Sequence, residues 1–129
     1  LILLADACAL IVFHGYGGAG MSAEGRQAME AGDVHVCAIT VWEITRKVAL
    51  GKLARPMPAG FAGSFSAWLD QAGYRPIPLD WRTAEAANAL PDHHKDPMDR
   101  MLIALARDRG MTIITNDAVF TQYDVPVIW

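Results

Sequence analysis

Four acidic residues fall just after apolar strand patterns or at helix starts, where they would converge on one edge of a sheet: Asp6, Glu43, Asp99 and Asp117. Asp6 closes the apolar run Leu1 to Ala5, and Asp117 follows the apolar run Met111 to Thr115 through Asn116. Glu43 lies in the helix start Thr40-Val41-Trp42-Glu43, and Asp99 in the first turn of the segment opened by Asp96-Pro97. Carboxylates gathered together repel one another and raise their own proton affinities, so a divalent cation is their natural counter-charge. An all-carboxylate donor set favours Mg²⁺ or Mn²⁺ over zinc. Such ions activate water and offset charge on a phosphate, which makes phosphodiester hydrolysis the leading chemistry.

Each acid also has a structural reading. Asp96 suits an N-cap with Pro97 at the first helical position, and Asp99 in that first turn complements the helix dipole. Glu43 fits the acid of a capping box opened by Thr40. Asp6 is hardest to explain this way, because a charge after a buried strand needs a partner. Arg46, Lys47, Lys52 and Arg55 put four positive charges beside Glu43; they form either a phosphate-binding patch or a solvated helix face. Arg100 is open to the same pair of readings, phosphate contact or an acid partner. Trp42 suits base stacking or packing in a core or interface. His93 and His94 could serve as proton carriers or ligands, but they follow Pro91-Asp92 in a polar loop where solvated surface is the default reading.

The elements that must position these residues alternate along the chain. Strand patterns cover Leu1 to Ala5, Val34 to Ala38 and Met111 to Thr115, with an edge strand at Pro126 to Trp129. Tyr74 to Leu79 carries Pro76 and Pro78 and suits a loop or an edge strand. Helices are expected over Ala7 to Phe13, Ser22 to Ala31, Thr40 to Leu50 and Trp81 to Leu90, and from Asp96 to Gly110. Phe61, Phe65, Trp68 and Leu69 recur at helical spacing before Gly73, a stripe expected to be core. Gly15 to Gly20 reads as a mobile loop without the strand-then-helix context of a dinucleotide fingerprint. Short apolar strands alternating with helices imply an α/β fold with a mainly parallel sheet of about four to five strands, and in such sheets sites form beyond the strands' carboxyl ends.

Composition agrees with one domain over residues 1–129. The chain is 53% hydrophobic and 19% charged, which excludes wholesale disorder, and its net charge of −3 excludes a generic basic coat for nucleic acid. Cys8 and Cys37, without C-x-x-C spacing, read as small core residues. No run approaches the ~18 apolar residues of a membrane span, and the apolar start lacks the marks of a signal peptide, so a cytoplasmic protein is expected.

Asp6-Ala7-Cys8-Ala9-Leu10, Val41-Trp42-Glu43-Ile44, Lys47 to Leu53, His94 to Ala104, Thr115-Asn116-Asp117 and the closing Pro-Val-Ile-Trp occur in that order. Together they resemble a PIN domain of the VapC type. The resemblance implies a three-layer α/β/α fold and a Mg²⁺- or Mn²⁺-dependent endoribonuclease, the toxin of a type II toxin–antitoxin pair. It further implies a small VapB-like antitoxin, a homodimer and an RNA substrate, whether tRNA, rRNA or mRNA. Carried over by residue, Asp6, Glu43 and Asp99 match the family's metal-site acids, Asp117 the fourth, and Asp96 is either a further ligand or only the cap. Arg46, Lys47, Lys52 and Arg100 are then the candidate RNA contacts. Ala7 departs from the Thr common at that position, removing a hydroxyl that would support the site, and the Gly-rich segment is usually more polar. The competing reading is a non-catalytic PIN-like module binding RNA or protein.

Overall fold

The computed structural model describes all 129 residues. Five strands, β1 (Leu3–Ala5), β2 (Val34–Cys37), β3 (Arg75–Ile77), β4 (Thr112–Ile114) and β5 (Val127–Ile128), form one sheet in the order β3-β2-β1-β4-β5. Every pairing is parallel, with Leu3 opposite Val34 and Thr112, and Ala5 opposite Ile114. The central strands carry apolar residues pointing both ways because helices cover both faces. Leu3, Ala5, Val34, Val36 and Ile114 join one core cluster, and Leu4, Cys37 and Ile113 the other.

Helices α1 (Ala7–Gly15), α2 (Ala23–Glu30), α3 (Ala38–Ala49) and α4 (Phe65–Ala72) supply the first cluster, α5 (Trp81–Asn88) and α6 (Pro97–Arg109) the second. The result is the three-layer α/β/α arrangement. Local chemistry fixes the helix ends: Ser22, Ser64, Asp80 and Asp96 accept amides as N-caps, and Gly73 and Gly110 close α4 and α6 in the left-handed conformation. Pro76 sits in β3, at the sheet's edge, where its missing N–H leaves no central ladder bond unmade. No helix is long and apolar enough to cross a membrane.

Two expectations are corrected, and the glycine segment is given its bonds. The helix after β2 begins at Ala38 with Cys37 as an N-cap that makes no side-chain bond. Thr40 is therefore inside the first turn, 2% exposed, its hydroxyl without a partner. No capping box forms, because β2 runs directly into the helix and leaves Thr40 no N-cap position; Glu43 falls a turn later and is released from that role. Phe61 precedes α4 instead of belonging to it, although it packs on the same cluster. The glycines after α1 form a closed turn: Tyr16 and Gly18 donate to the Val12 carbonyl, and Met21 to that of Gly18. That turn caps the end of α1 opposite Asp6, roughly 13 Å away at 1.5 Å per residue, so it lies off the rim of the acidic site.

Candidate active site

The strand order changes direction between β1 and β4: the chain moves outward from β1 through β2 to β3, then returns to the other side of β1. Such a switch point leaves a crevice beyond the carboxyl ends of the two strands. Asp6 follows β1 there, its amide donating to the Ile114 carbonyl at 3.2 Å, so the β4 backbone sets its position. Asp117 follows β4 through Asn116, Glu43 projects from α3 and Asp99 from the first turn of α6. All four line one cleft of about 280 Å³, shared with Ala7, Cys8, Ile11, Lys47 and Asn116. A larger groove of about 430 Å³ beside β3 is walled mainly by apolar residues such as Val36, Val41 and Leu69 and lacks converging acids; the chemistry belongs to the smaller cleft.

Asp6 is 6% exposed and caps α1, its Oδ1 accepting the Ala9 amide at 2.8 Å. Burial pushes its carboxyl up to about 6; the Thr115 hydroxyl and the Ala9 amide hold it back, while Glu43 and Asp117 push further. Asp99 is lifted to about 7, by burial first and then by Asp96, with smaller pushes from Asp6 and Glu43 against the opposing effect of His94. Glu43 is also raised by burial, with Lys47 opposing and Asp96 adding. Lys47 lies one turn along α3 from Glu43, the favourable orientation for an acid and base on one helix face.

The side chains therefore concentrate negative charge that Lys47 alone does not neutralise. Oxygen donors in that number are of the kind a hard divalent ion takes, and Asp6, Glu43, Asp99 and Asp117 are the acids that line the cleft. Asp96 is placed differently. Its Oδ1 accepts the Met98 and Asp99 amides at 2.8 and 3.2 Å, and it does not line the cleft. Its carboxylate acts on the site through charge and through the helix start that aims Asp99.

Two residues of the site escape a sequence reading. Thr115, 1% exposed, places its hydroxyl where it lowers the proton affinity of Asp6 and accepts the Asp117 amide at 3.1 Å, at the junction of β1 and β4. It supplies support of the kind lost at Ala7. His94, read as solvated loop, is instead packed against the acids with its side chain 13% exposed. Its Nε2 stands 2.8 Å from Asp117 Oδ2 and 3.0 Å from Asp99 Oδ2. His94, Asp99 and Asp117 each bring a ligand-type atom within 4.8 Å of the others. In the sequence both residues stand inside the blocks His94 to Ala104 and Thr115-Asn116-Asp117, but nothing there marks the contacts they make.

Cys8 is corrected as well: it is half-buried and lines the acidic cleft, with its thiol pushed up by burial and by Asp6. Cys37 is buried, and both thiols are free. Trp42, one residue before Glu43, is 55% exposed and so not core.

Arg46, Lys47 and Lys52 are exposed, and so is Arg55, which donates to the Gly63 carbonyl. Arg100 is engaged elsewhere. Its guanidinium donates to the carbonyls of Ala87, Asn88, Leu90, Pro91 and His94, with Asp92 at 3.4 Å. Its fork closes the end of α5 and shapes the loop that carries His94, which leaves those donors unavailable to a phosphate. Arg100→Leu should lower stability by about 2–4 kcal/mol, because several carbonyls lose a charged donor together, and Arg100→Lys should restore only part of it. Urea denaturation midpoints of the three proteins check this; a loss below about 0.5 kcal/mol would contradict it.

The fold has counterparts among solved structures. A toxin–antitoxin complex from Klebsiella pneumoniae is 18% identical, with 98% of this chain and 96% of that chain covered and a TM-score of 0.65. FitAB bound to a DNA fragment is 20% identical, covering 98% of this chain and 93% of that one, TM-score 0.61. FitAcB from Neisseria gonorrhoeae is 21% identical, covering 98% and 96%, TM-score 0.59. No curated protein matches the chain by sequence. The profile of the PIN domain matches residues 3–126, nearly the whole length, and the chain belongs to the PIN domain family.

Proposed function

We propose that this PIN domain is a Mg²⁺- or Mn²⁺-dependent endoribonuclease and the toxin of a type II toxin–antitoxin pair. The observation that carries the reading is the convergence of Asp6, Glu43, Asp99 and Asp117, from four separate stretches of chain, on one cleft at the β1/β4 switch point. A divalent ion held there supplies Lewis acidity, activating water and offsetting charge on the scissile phosphate. The protein's part is to hold the carboxylates ready. The Ala9 amide and Thr115 hydroxyl orient Asp6, the cap at Asp96 aims Asp99, and β4 delivers Asp117 beside Asp6. Lys47 at the cleft, with exposed Arg46 and Lys52 on the same segment, is suited to grip the RNA backbone despite the chain's negative net charge.

A small VapB-like antitoxin belongs to the same reading, supported by the toxin–antitoxin complex among the structural counterparts. A basic side chain of such a partner, placed among these acids, would compete with the metal. A homodimer also belongs to it, by the resemblance to the VapC type.

The test is incubation of purified protein with mixed tRNA, rRNA and mRNA in Mg²⁺, Mn²⁺ or EDTA. Discrete cuts that need the metal are expected. RNA left intact in both metals, or cut equally well in EDTA, would sink the nuclease reading; intact RNA that is nonetheless bound would favour a non-catalytic binding module.

A further inference from the structure

His94 is held more firmly than a loop residue needs to be. Its amide donates to the Tyr123 hydroxyl at 2.7 Å, and that hydroxyl donates to the Pro91 carbonyl at 2.7 Å. Its carbonyl accepts from Arg100 at 3.0 Å. The ring stands edge-on to Phe120, with centroids 5.5 Å apart and planes at 82°. Both nitrogens have defined neighbours: the Asp96 amide donates to Nδ1 at 3.2 Å, and Nε2 faces the Asp117 and Asp99 carboxylates.

A backbone amide can only donate, so the nitrogen it meets must present a lone pair. Nδ1 is then the acceptor and Nε2 carries the proton. A metal ligand at Nε2 would need the opposite tautomer, with its Nδ1–H facing the Asp96 N–H head-on. We propose that His94 is a positioning residue: as the Nε2–H tautomer it bridges Asp117 and Asp99, holding both carboxylates toward the cleft without itself ligating the ion. The proposal rests on the metal-dependent reading above. Two carboxylates left to themselves move apart; an N–H donor between them offsets part of their repulsion and keeps the pair arranged for a cation. Partners of this kind, one step removed from the ion, govern its affinity by about 10–100-fold.

The test uses two measurements. Long-range ¹H–¹⁵N spectra of the metal-free protein at pH 8 report which ring nitrogen of His94 bears the proton; the expected result is Nε2. Calorimetric titration with Mn²⁺ then compares wild type with His94→Gln, whose side-chain amide reaches about as far as Nε2, and His94→Leu, which keeps the packing on Phe120. Circular dichroism confirms that the variants are folded. His94→Leu should bind Mn²⁺ roughly 10–100-fold more weakly, and His94→Gln should recover most of that loss. A proton on Nδ1, His94→Leu binding as tightly as wild type, or His94→Gln binding as poorly as His94→Leu would each overturn the proposal. Wild-type protein that takes up no Mn²⁺ would overturn the metal-dependent reading and the purpose given to His94, and the tautomer spectrum separates that failure from a misplaced ring.

Discussion

Asp6→Asn protein is expected to lose RNA cleavage by at least roughly 10²–10³-fold, a loss of the size seen when one preorganised electrostatic group is removed from an active site, while unfolding at a higher temperature than wild type in EDTA. The two effects share a cause. Asp6 is 6% exposed beside Glu43 and Asp117, and its carboxyl is pushed up to about 6, so at pH 8 the metal-free fold holds a charge that its surroundings disfavour. Asn is an equally good N-cap and keeps an oxygen for the Ala9 amide, so the substitution removes the charge and leaves the helix start intact. A gain on the order of 1–2 kcal/mol follows from a shift of this size. Ala would be a poorer choice, because losing the cap costs about 1 kcal/mol and would mask the gain. Melting curves in EDTA and cleavage assays in Mn²⁺ on the same preparations check both halves. Cleavage retained by the Asn variant would remove Asp6 from the proposed machinery.

The metal-free wild type should become less stable as pH rises from about 4 to 8. Asp99 near 7 and Asp6 near 6 lie well above the ordinary carboxyl value of 3.8, and Glu43 is raised too. Between those values the folded protein retains protons that the unfolded chain has released. Stability is therefore fully present below about pH 4 as far as these groups are concerned, and is lost as pH climbs through 6 and 7. Asp6 and Asp99 are mostly buried, with the Asp99 side chain 22% exposed. The fall should be on the order of 3 kcal/mol, measurable as a lower urea midpoint at pH 8 than at pH 5. Mn²⁺ should reverse the trend, since the ion binds the deprotonated acids; at a hundred times its dissociation constant it contributes about 2.7 kcal/mol. A flat profile between pH 5 and 8 in EDTA would mean that the acids do not share one buried site.

How much of this is legible in the sequence follows from what each residue needs locally. Strands β1 and β4 can be read because a strand covered on both faces must be apolar, and Leu4 and Ile113 face one layer while Ala5 and Ile114 face the other. The start of α6 can be read because an N-cap and a proline at the first helical position act within three residues of each other. The approach of three of the acids can be read because Asp6, Asp99 and Asp117 stand at element ends and parallel strands share one carboxyl edge, whereas Glu43 lies in the second turn of α3. His94 cannot be read in this way: its contacts with Asp117 and Tyr123 are long in sequence, and those with Asp99 and Arg100 cross from the loop to the helix, where periodicity does not show them. Arg100 escapes similarly, since an arginine beside an acid gives no sign that five carbonyls await it. Thr40 misleads for a different reason. The capping-box pattern is real in the residues, but β2 passes into α3 with no intervening turn, and the position that would have been the cap is already helical.

The strand order has a consequence for synthesis. β4 pairs along the edge of β1 that β2 leaves open, and β5 adds outside it, so a segment far downstream in sequence must return to the first strand. Until it does, Asp6 lacks the Ile114 carbonyl that fixes its backbone and the Thr115 hydroxyl that orients its carboxyl, and Asp117 has not arrived. Closing so long a span is slow beside local helix formation. A nascent chain can thus fold much of α1 to α5 on the ribosome and still own no complete set of acids. For a chain proposed to cut RNA, that topology works as a timer: the set of acids stays incomplete until the residues through Asp117 have been made and have paired beside β1.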